Sequence, residues 1–187
     1  MIETSDIRKN LKLQIDGDPW IVVDFQFVKP GKGQAFTRTK IKNLITGNVI
    51  ERTYRSGEKL EEAYIEEHEM AFLYVQGDAY HFMNNQTYEQ IEMTAEQAGE
   101  AKSFLTENMT VEVLYFNNKP IGITLPNFVE LQIVHTEPAV KGDTVSGATK
   151  TAEVSTGFKL QVPVFISNNE WIVIDTRTGG YVERVKR

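Results

Sequence analysis

This sequence predicts an all-β chain of small barrels, on three observations. Short segments of about four to eight residues, rich in Val, Ile, Phe, Tyr and Thr, recur along it. Clusters of Gly, Asn, Asp and Pro separate them every ten or so residues, the rhythm of small barrels and sandwiches. Only one stretch carries helical spacing.

In chain order, the first clear strand is residues 20–25, which follows the turn Asp16-Gly17-Asp18-Pro19. Residues 35–44 alternate apolar and polar side chains and break at Thr46-Gly47-Asn48. Residues 72–75 and 79–83 flank Gln76-Gly77-Asp78, and residues 111–116 and 121–125 flank Asn117-Asn118-Lys119-Pro120. Both read as hairpins, because Gly and Asn tolerate the positive φ that tight turns require. The helix begins at Thr94, with Gln97 as the reciprocal member of a capping box, and Ala98, Ala101, Phe104 and Leu105 follow at helical spacing. A single helix between strand pairs is typical of a five-stranded OB barrel. Residues 171–175 and 181–185 flank a last turn, Thr176-Arg177-Thr178-Gly179-Gly180. Trp20 and Trp171 lie inside strand patterns and are expected in cores rather than as stacking platforms.

The chain has 187 residues, room for one ordinary domain or two or three small ones. No stretch approaches the roughly 20 apolar residues of a membrane-spanning helix, and the first residues show neither a basic start nor an apolar run, so no signal peptide is expected. With no cysteine, disulfides and thiolate metal sites are excluded, and a reducing cytoplasm is the expected compartment. His68, His81 and His135 are far apart and make no metal-site spacing. The acidic run Glu58, Glu61, Glu62, Glu66, Glu67 and Glu69 lacks the pattern of a calcium loop and reads as a solvated face. No nucleophile–base constellation emerges, so no catalytic residue, metal or cofactor is expected.

Net charge is −6, but its distribution is uneven. Residues 1–64 hold 11 Lys+Arg against 9 Asp+Glu, residues 65–127 hold 2 against 10, and residues 128–187 hold 7 against 7. This step, together with Pro126-Asn127, places domain boundaries near 64 and 127, giving domains 1–64, 65–127 and 128–187. Contact with phosphate is plausible at the two ends and poor in the middle.

The most informative stretch is Lys29-Pro30-Gly31-Lys32-Gly33-Gln34-Ala35-Phe36, which lies between two strand patterns and so reads as a hairpin tip. Pro30 fixes its own φ, and Gly31 and Gly33 allow positive φ. Such a tip can project Lys32 outward with little bulk around it. A strand pattern follows Gly33-Gln34, which excludes a Walker-type phosphate loop. On turn chemistry alone, an ordinary solvated turn remains open.

That octapeptide resembles the first-domain loop of the elongation factor P family. A second motif agrees: Lys150-Thr151-Ala152, Gly157, Leu160 and Val162-Pro163 stand at the spacing of that family's C-terminal signature, preceded by a matching Lys141-Gly142-Asp143-Thr144 and Gly147. The signature's usual final Gly is Asn169 here, and Asn168-Asn169 is expected to close a hairpin, since Asn tolerates the left-handed region.

The resemblance spans the chain and implies a KOW/SH3-like N-terminal barrel followed by two OB barrels, arranged in an L like the arms of a tRNA. It implies a monomeric translation factor, not an enzyme, that binds both ribosomal subunits beside the P-site peptidyl-tRNA and relieves stalling at consecutive prolines. Lys32 would be the post-translationally extended lysine, substrate of a lysine-modifying enzyme, where eukaryotic and archaeal relatives carry hypusine. Lys29, Pro30, Gly31, Lys32 and Gly33 would form the contact toward the tRNA CCA end. The last turn resembles the family's third-domain loop, which approaches the small subunit and the anticodon arm. There Arg177 could pair with phosphate bidentately and Tyr181 could stack on a base. Arg184 is a further candidate, on a strand face where a charge is usually just solvated. Two alternatives share the barrels: an elongation-factor-P-like paralogue, against which the intact loop speaks, and a general OB-type single-strand RNA binder, against which the acidic middle segment speaks.

Overall fold

A computed structural model describes residues 1–139 and 148–187. The matching positions Lys141, Gly142, Asp143, Thr144 and Gly147 lie outside the described residues.

The first sixty residues form β1 (Ile2–Glu3), β2 (Lys12–Ile15), β3 (Asp18–Val28), β4 (Phe36–Asn43), β5 (Val49–Arg55) and β6 (Lys59–Leu60). Strands β2-β3-β4-β5 make an antiparallel sheet in that order, and β1 pairs with β6. The chain after β6 returns to β2, where Leu13 bridges Glu62 and Ala63 N donates to Lys12 O at 3.0 Å. That contact curls the sheet into a barrel around Ile7, Leu13, Val22, Ile41, Tyr54 and Leu60. Asp16 and Gly17 take positive φ, 52° and 85°, and form a two-residue hairpin turn by themselves. Asp18 and Pro19, expected in the turn, therefore already belong to β3, with Asp18 opposite Ile15.

The middle strands are β7 (Glu66–Gln76), β8 (Ala79–Met83), β9 (Gln90–Thr94), β10 (Thr110–Phe116) and β11 (Lys119–Thr124), in the sheet order β11-β10-β7-β8-β9. Asn117 and Asn118 alone make the β10–β11 turn, at φ 49° and 62°, so Lys119 and Pro120 fall in β11. The capping box is present: Thr94 Oγ1 accepts from Gln97 N at 3.1 Å, and Gln97 Oε1 accepts from Thr94 N at 3.0 Å. The helix it opens is shorter than its apolar spacing suggests. Helix α1 (Ala95–Ala98) stops at Gly99, whose φ of 58° leaves the helical region, and a 3₁₀ turn (Gly99–Ser103) continues. Ala98, Ala101, Phe104 and Leu105 are all buried nonetheless.

The last strands are β12 (Phe128–Thr136), β13 (Thr149–Val154), β14 (Lys159–Pro163), β15 (Trp171–Asp175) and β16 (Gly180–Val185), in the order β14-β13-β12-β15-β16. The edges β14 and β16 approach each other around a core that includes Leu131, Ile133, Val154, Val162, Ile172 and Ile174. The C-terminal motif lies here as architecture: Ala152, Leu160 and Val162 are buried, and Gly157 holds φ 89° in the β13–β14 turn. Asn169 takes the expected left-handed φ of 70°, but Asn168-Asn169 closes no hairpin. Strands β14 and β15 are not neighbours, and Asn169 N donates instead to Ile133 O at 2.8 Å. Trp20 is half-buried and packs against the core of the first barrel, whereas Trp171 is half-buried and covered by Arg187, whose guanidinium lies 3.9 Å from its ring centroid.

Packing divides the chain into two units, Met1–His68 with Val113–Gly122, and Glu69–Glu112 with Ile123–Arg187. In the first, Phe116 and Ile121 bury together with Ala63, against Leu44 and Ile65. In the second, Phe104 joins the core of the last sheet, with its ring 4.9 Å from that of Phe158, and Thr156 Oγ1 donates to Ser103 O at 2.6 Å.

Candidate functional site

Strands β3 and β4 are the longest pair of the first unit, in register from Trp20 opposite Asn43 to Val28 opposite Phe36, with a bulge between Val22 and Asp24. The loop at residues 29–35 hangs from the Val28–Phe36 pair. Its return side is tied down: Gln34 Nε2 donates to Ser56 O at 3.2 Å, and Ser56 N to Ala35 O at 3.0 Å. Its outgoing side is stiffened by Pro30. Of the two tip glycines only Gly33 needs its freedom, at φ 111°, where an added Cβ would stand 3.8 Å from Pro30 Cγ; Gly31 does not take a positive φ and faces open space. Between these anchors Lys29, Gly31, Lys32 and Gly33 are exposed, and neither lysine has a hydrogen bond or ion pair among the described residues. Lys32 is thus a free primary amine at the end of a supported arm.

The strand beneath carries a feature that reading the loop alone missed. Along β4, Thr37, Thr39, Ile41 and Asn43 are buried, while Arg38, Lys40 and Lys42 alternate with them on the exposed face. Arg55, opposite Phe36 on β5, extends this cationic row toward the loop. The signal was present in the sequence as Arg-x-Lys-x-Lys inside an alternating stretch. Asp24 and Glu51 flank Lys40 across the sheet, and Asp24 also pairs with Lys9 at 3.7 Å.

The last turn is built differently. Thr176 Oγ1 donates to Pro126 O at 2.7 Å, and Thr176 N to Asn127 O at 2.9 Å. Gly179, at φ 75°, lies so near Phe158 that a Cβ would stand 3.1 Å from its Cζ. Arg177 is not a loose cation. Its Nε donates to Asp175 Oδ1 at 3.0 Å and its Nη2 to Asp175 Oδ2 at 2.9 Å, and its guanidinium sits 5.5 Å from the Phe128 ring centroid. These hydrogen bonds, with the backbone N–H of Arg177 also donating to Asp175, hold the Asp175 carboxyl below its ordinary range.

Tyr181 is half-buried against the core of the last sheet, and that burial raises its phenol pKa. It is therefore a wall of the barrel more than a free-standing stacking platform. Arg184 is exposed, lies 5.4 Å from the Phe165 ring centroid, and donates to Glu170 at 3.4 Å. Lys29 to Gly33 lie in the first packing unit, and Arg177, Tyr181 and Arg184 in the second.

Comparison with known proteins agrees along the whole chain. Residues 3–60 match the model of the elongation factor P (EF-P) KOW-like domain, residues 65–123 that of the elongation factor P OB domain, and residues 129–184 that of the elongation factor P C-terminal region. Elongation factor P of Syntrophus aciditrophicus is 53% identical over 186 residues, and that of Desulfatibacillum aliphaticivorans 51% over 187, each alignment covering 100% of both chains. Among solved structures, eukaryotic translation initiation factor 5A from Methanococcus jannaschii superposes with a TM-score of 0.53 at 26% identity, over 66% of this chain and 93% of that one. By sequence along its full length, and by a fold of small barrels shared with the 5A factors, the chain belongs to the elongation factor P family.

Proposed function

We propose that this translation elongation factor binds the ribosome beside the P-site peptidyl-tRNA and speeds peptide-bond formation where consecutive prolines stall it. The observation that carries this reading is Lys32, unpaired among the described residues and exposed at the tip of a loop whose return side is tied to Ser56.

The chemistry required of the protein is modest. Proline is a geometrically poor nucleophile, and a strained nascent chain misplaces the reacting carbonyl. Holding the tRNA end near its attack geometry removes part of the entropic barrier. The bond-making chemistry stays in ribosomal RNA, so the factor supplies position and charge, not catalytic groups. Lys29 and Lys32 reach toward the CCA end, and Pro30, Gly31 and Gly33 shape the approach. An open lysine also suits a modifying enzyme, which must surround the amine, and an added basic group lengthens the reach of four methylenes while keeping a cation. Arg38, Lys40 and Lys42 are spaced to meet successive phosphates of the acceptor arm, so binding weakens with salt. Arg177, Tyr181 and Arg184 serve the anticodon arm and the small subunit. The working modules are residues 1–64, 65–127 and 128–187, acting as a cytoplasmic monomer.

A single cysteine tests this in a chain that has none. Gly31 accepts a side chain without strain, so a photo-crosslinker on Gly31→Cys should label the 3′ end of peptidyl-tRNA in ribosomes stalled on consecutive prolines. Labels confined to other ribosomal components would overturn the placement of the loop.

A further inference from the structure

We infer that Asp175 and Phe128 are positioning residues that hold Arg177 as a preformed anion fork, the carboxylate orienting the guanidinium toward a backbone phosphate of RNA. The inference rests on the proposed role of the last turn and names how that turn does its work.

A guanidinium has two edges able to donate paired hydrogen bonds, one formed by Nε and Nη2 and one by Nη1 and Nη2. Asp175 fills the first, at 3.0 and 2.9 Å. Nη1 has no partner among the described residues, so the second edge is open, and the Arg177 side chain is 59% exposed. The guanidinium is approached from two sides, by the carboxylate through its paired hydrogen bonds and by the Phe128 ring, whose centroid lies 5.5 Å from Cζ. The carboxylate is itself fixed: the Asp175 side chain is only 17% exposed, and Oδ1 also accepts the backbone N–H of Arg177 at 2.9 Å. Phe128 stands opposite Asp175 in the β12–β15 register, so both supports rise from one rung of the sheet. An arginine held this way loses less rotamer freedom when a phosphate arrives, so the fork needs less ordering.

A simpler view is that Asp175 masks Arg177 and competes with phosphate. The two views predict opposite signs. Asp175→Asn removes a negative charge near the anion, which by itself strengthens binding to RNA. It also puts an amide N–H against Nη2 and breaks the fork.

The experiment measures affinity of the full-length factor, in the modification state its host gives it, for ribosomes stalled on consecutive prolines with peptidyl-tRNA in the P site. Wild type, Asp175→Asn, Arg177→Ala, Arg177→Lys and the double variant are compared, with thermal melts to confirm folding. Arg177→Ala should weaken binding about tenfold, as the loss of a charge-assisted pair does, and Arg177→Lys nearly as much. Asp175→Asn should weaken it about threefold or more in the wild-type background and not at all when Arg177 is absent, since coupled residues lose their effects together. An unchanged or higher affinity for Asp175→Asn overturns the positioning role while leaving the Arg177 contact standing. An equal loss in both backgrounds overturns it too. No effect of Arg177→Ala removes the contact itself, and with it this inference. If Asp175→Asn melts below the assay temperature, Phe128→Leu at a 52% exposed site carries the same cycle.

Discussion

Phe104 lies in the segment between β9 and β10, yet its ring is 5% exposed inside the core of the last sheet. Truncation to alanine there removes about 150 Å² of buried apolar surface, which at about 25 cal/mol per Å² is worth about 4 kcal/mol. Part of the tilted contact with Phe158 goes with it, and buried Phe→Ala changes cost about 3–5 kcal/mol in general. The effect can be read cleanly because the chain has two tryptophans, Trp20 in the first packing unit and Trp171 in the second. In a Trp20→Phe background, urea unfolding followed by Trp171 fluorescence reports on the second unit. With a slope of about 2 kcal/mol per molar urea, Phe104→Ala should move the midpoint down by about 2 M. The functional consequence follows through contacts: Phe104 supports Phe158, and Phe158 lies under Gly179 in the turn that presents Arg177. A shift below about 0.5 M would mean that the core of the last sheet does not depend on this residue, and the reasoning would fail.

Three smaller predictions accompany it. Tyr54 is buried with its hydroxyl unpaired among the described residues, so Tyr54→Phe should hold or raise stability by up to about 1 kcal/mol in denaturant titration; a clear loss would reveal a partner for that hydroxyl. Gly179→Ala should cost about 1–2 kcal/mol because it forces a left-handed φ and a Cβ against Phe158, whereas Gly31→Ala should be near neutral; equal effects would contradict the turn geometry. The Asp175 carboxyl, followed by carbon-13 NMR, should titrate below the ordinary 3.8 and move back up in Arg177→Ala. Because the folded pKa is lowered, the stability this pair adds is complete above the unfolded value and is lost as pH falls through the folded one.

Much of this fold was legible because its turns are local chemistry. Asp16-Gly17 and Asn117-Asn118 adopt the positive φ that their residue types favour, and only the extra turn residues assigned to each had to move into the strands. The Lys29–Gly33 loop was legible for the same reason, because Pro and Gly between two alternating segments leave little but a hairpin tip. What was not legible is nonlocal. Apolar spacing through Phe104 suggested a longer helix, since spacing cannot show that Gly99 turns the chain out of the helical region and delivers Phe104 to another sheet. Asn169 announced its backbone angle but not its partner, Ile133. Arg177 read as a phosphate ligand, but the spacing alone did not show that Asp175, two residues away, would meet its guanidinium with both carboxylate oxygens.

The role given to Lys32 is tested by reconstituted translation of a template encoding consecutive prolines, with no factor, with the protein purified from its own host, and with Lys32→Ala. The proposed function predicts that the wild-type protein restores full-length product and that the substitution returns synthesis to the stalled level, while a template without consecutive prolines is unaffected by either. Equal rescue by Lys32→Ala would contradict it, and the loop tip would then be only a turn.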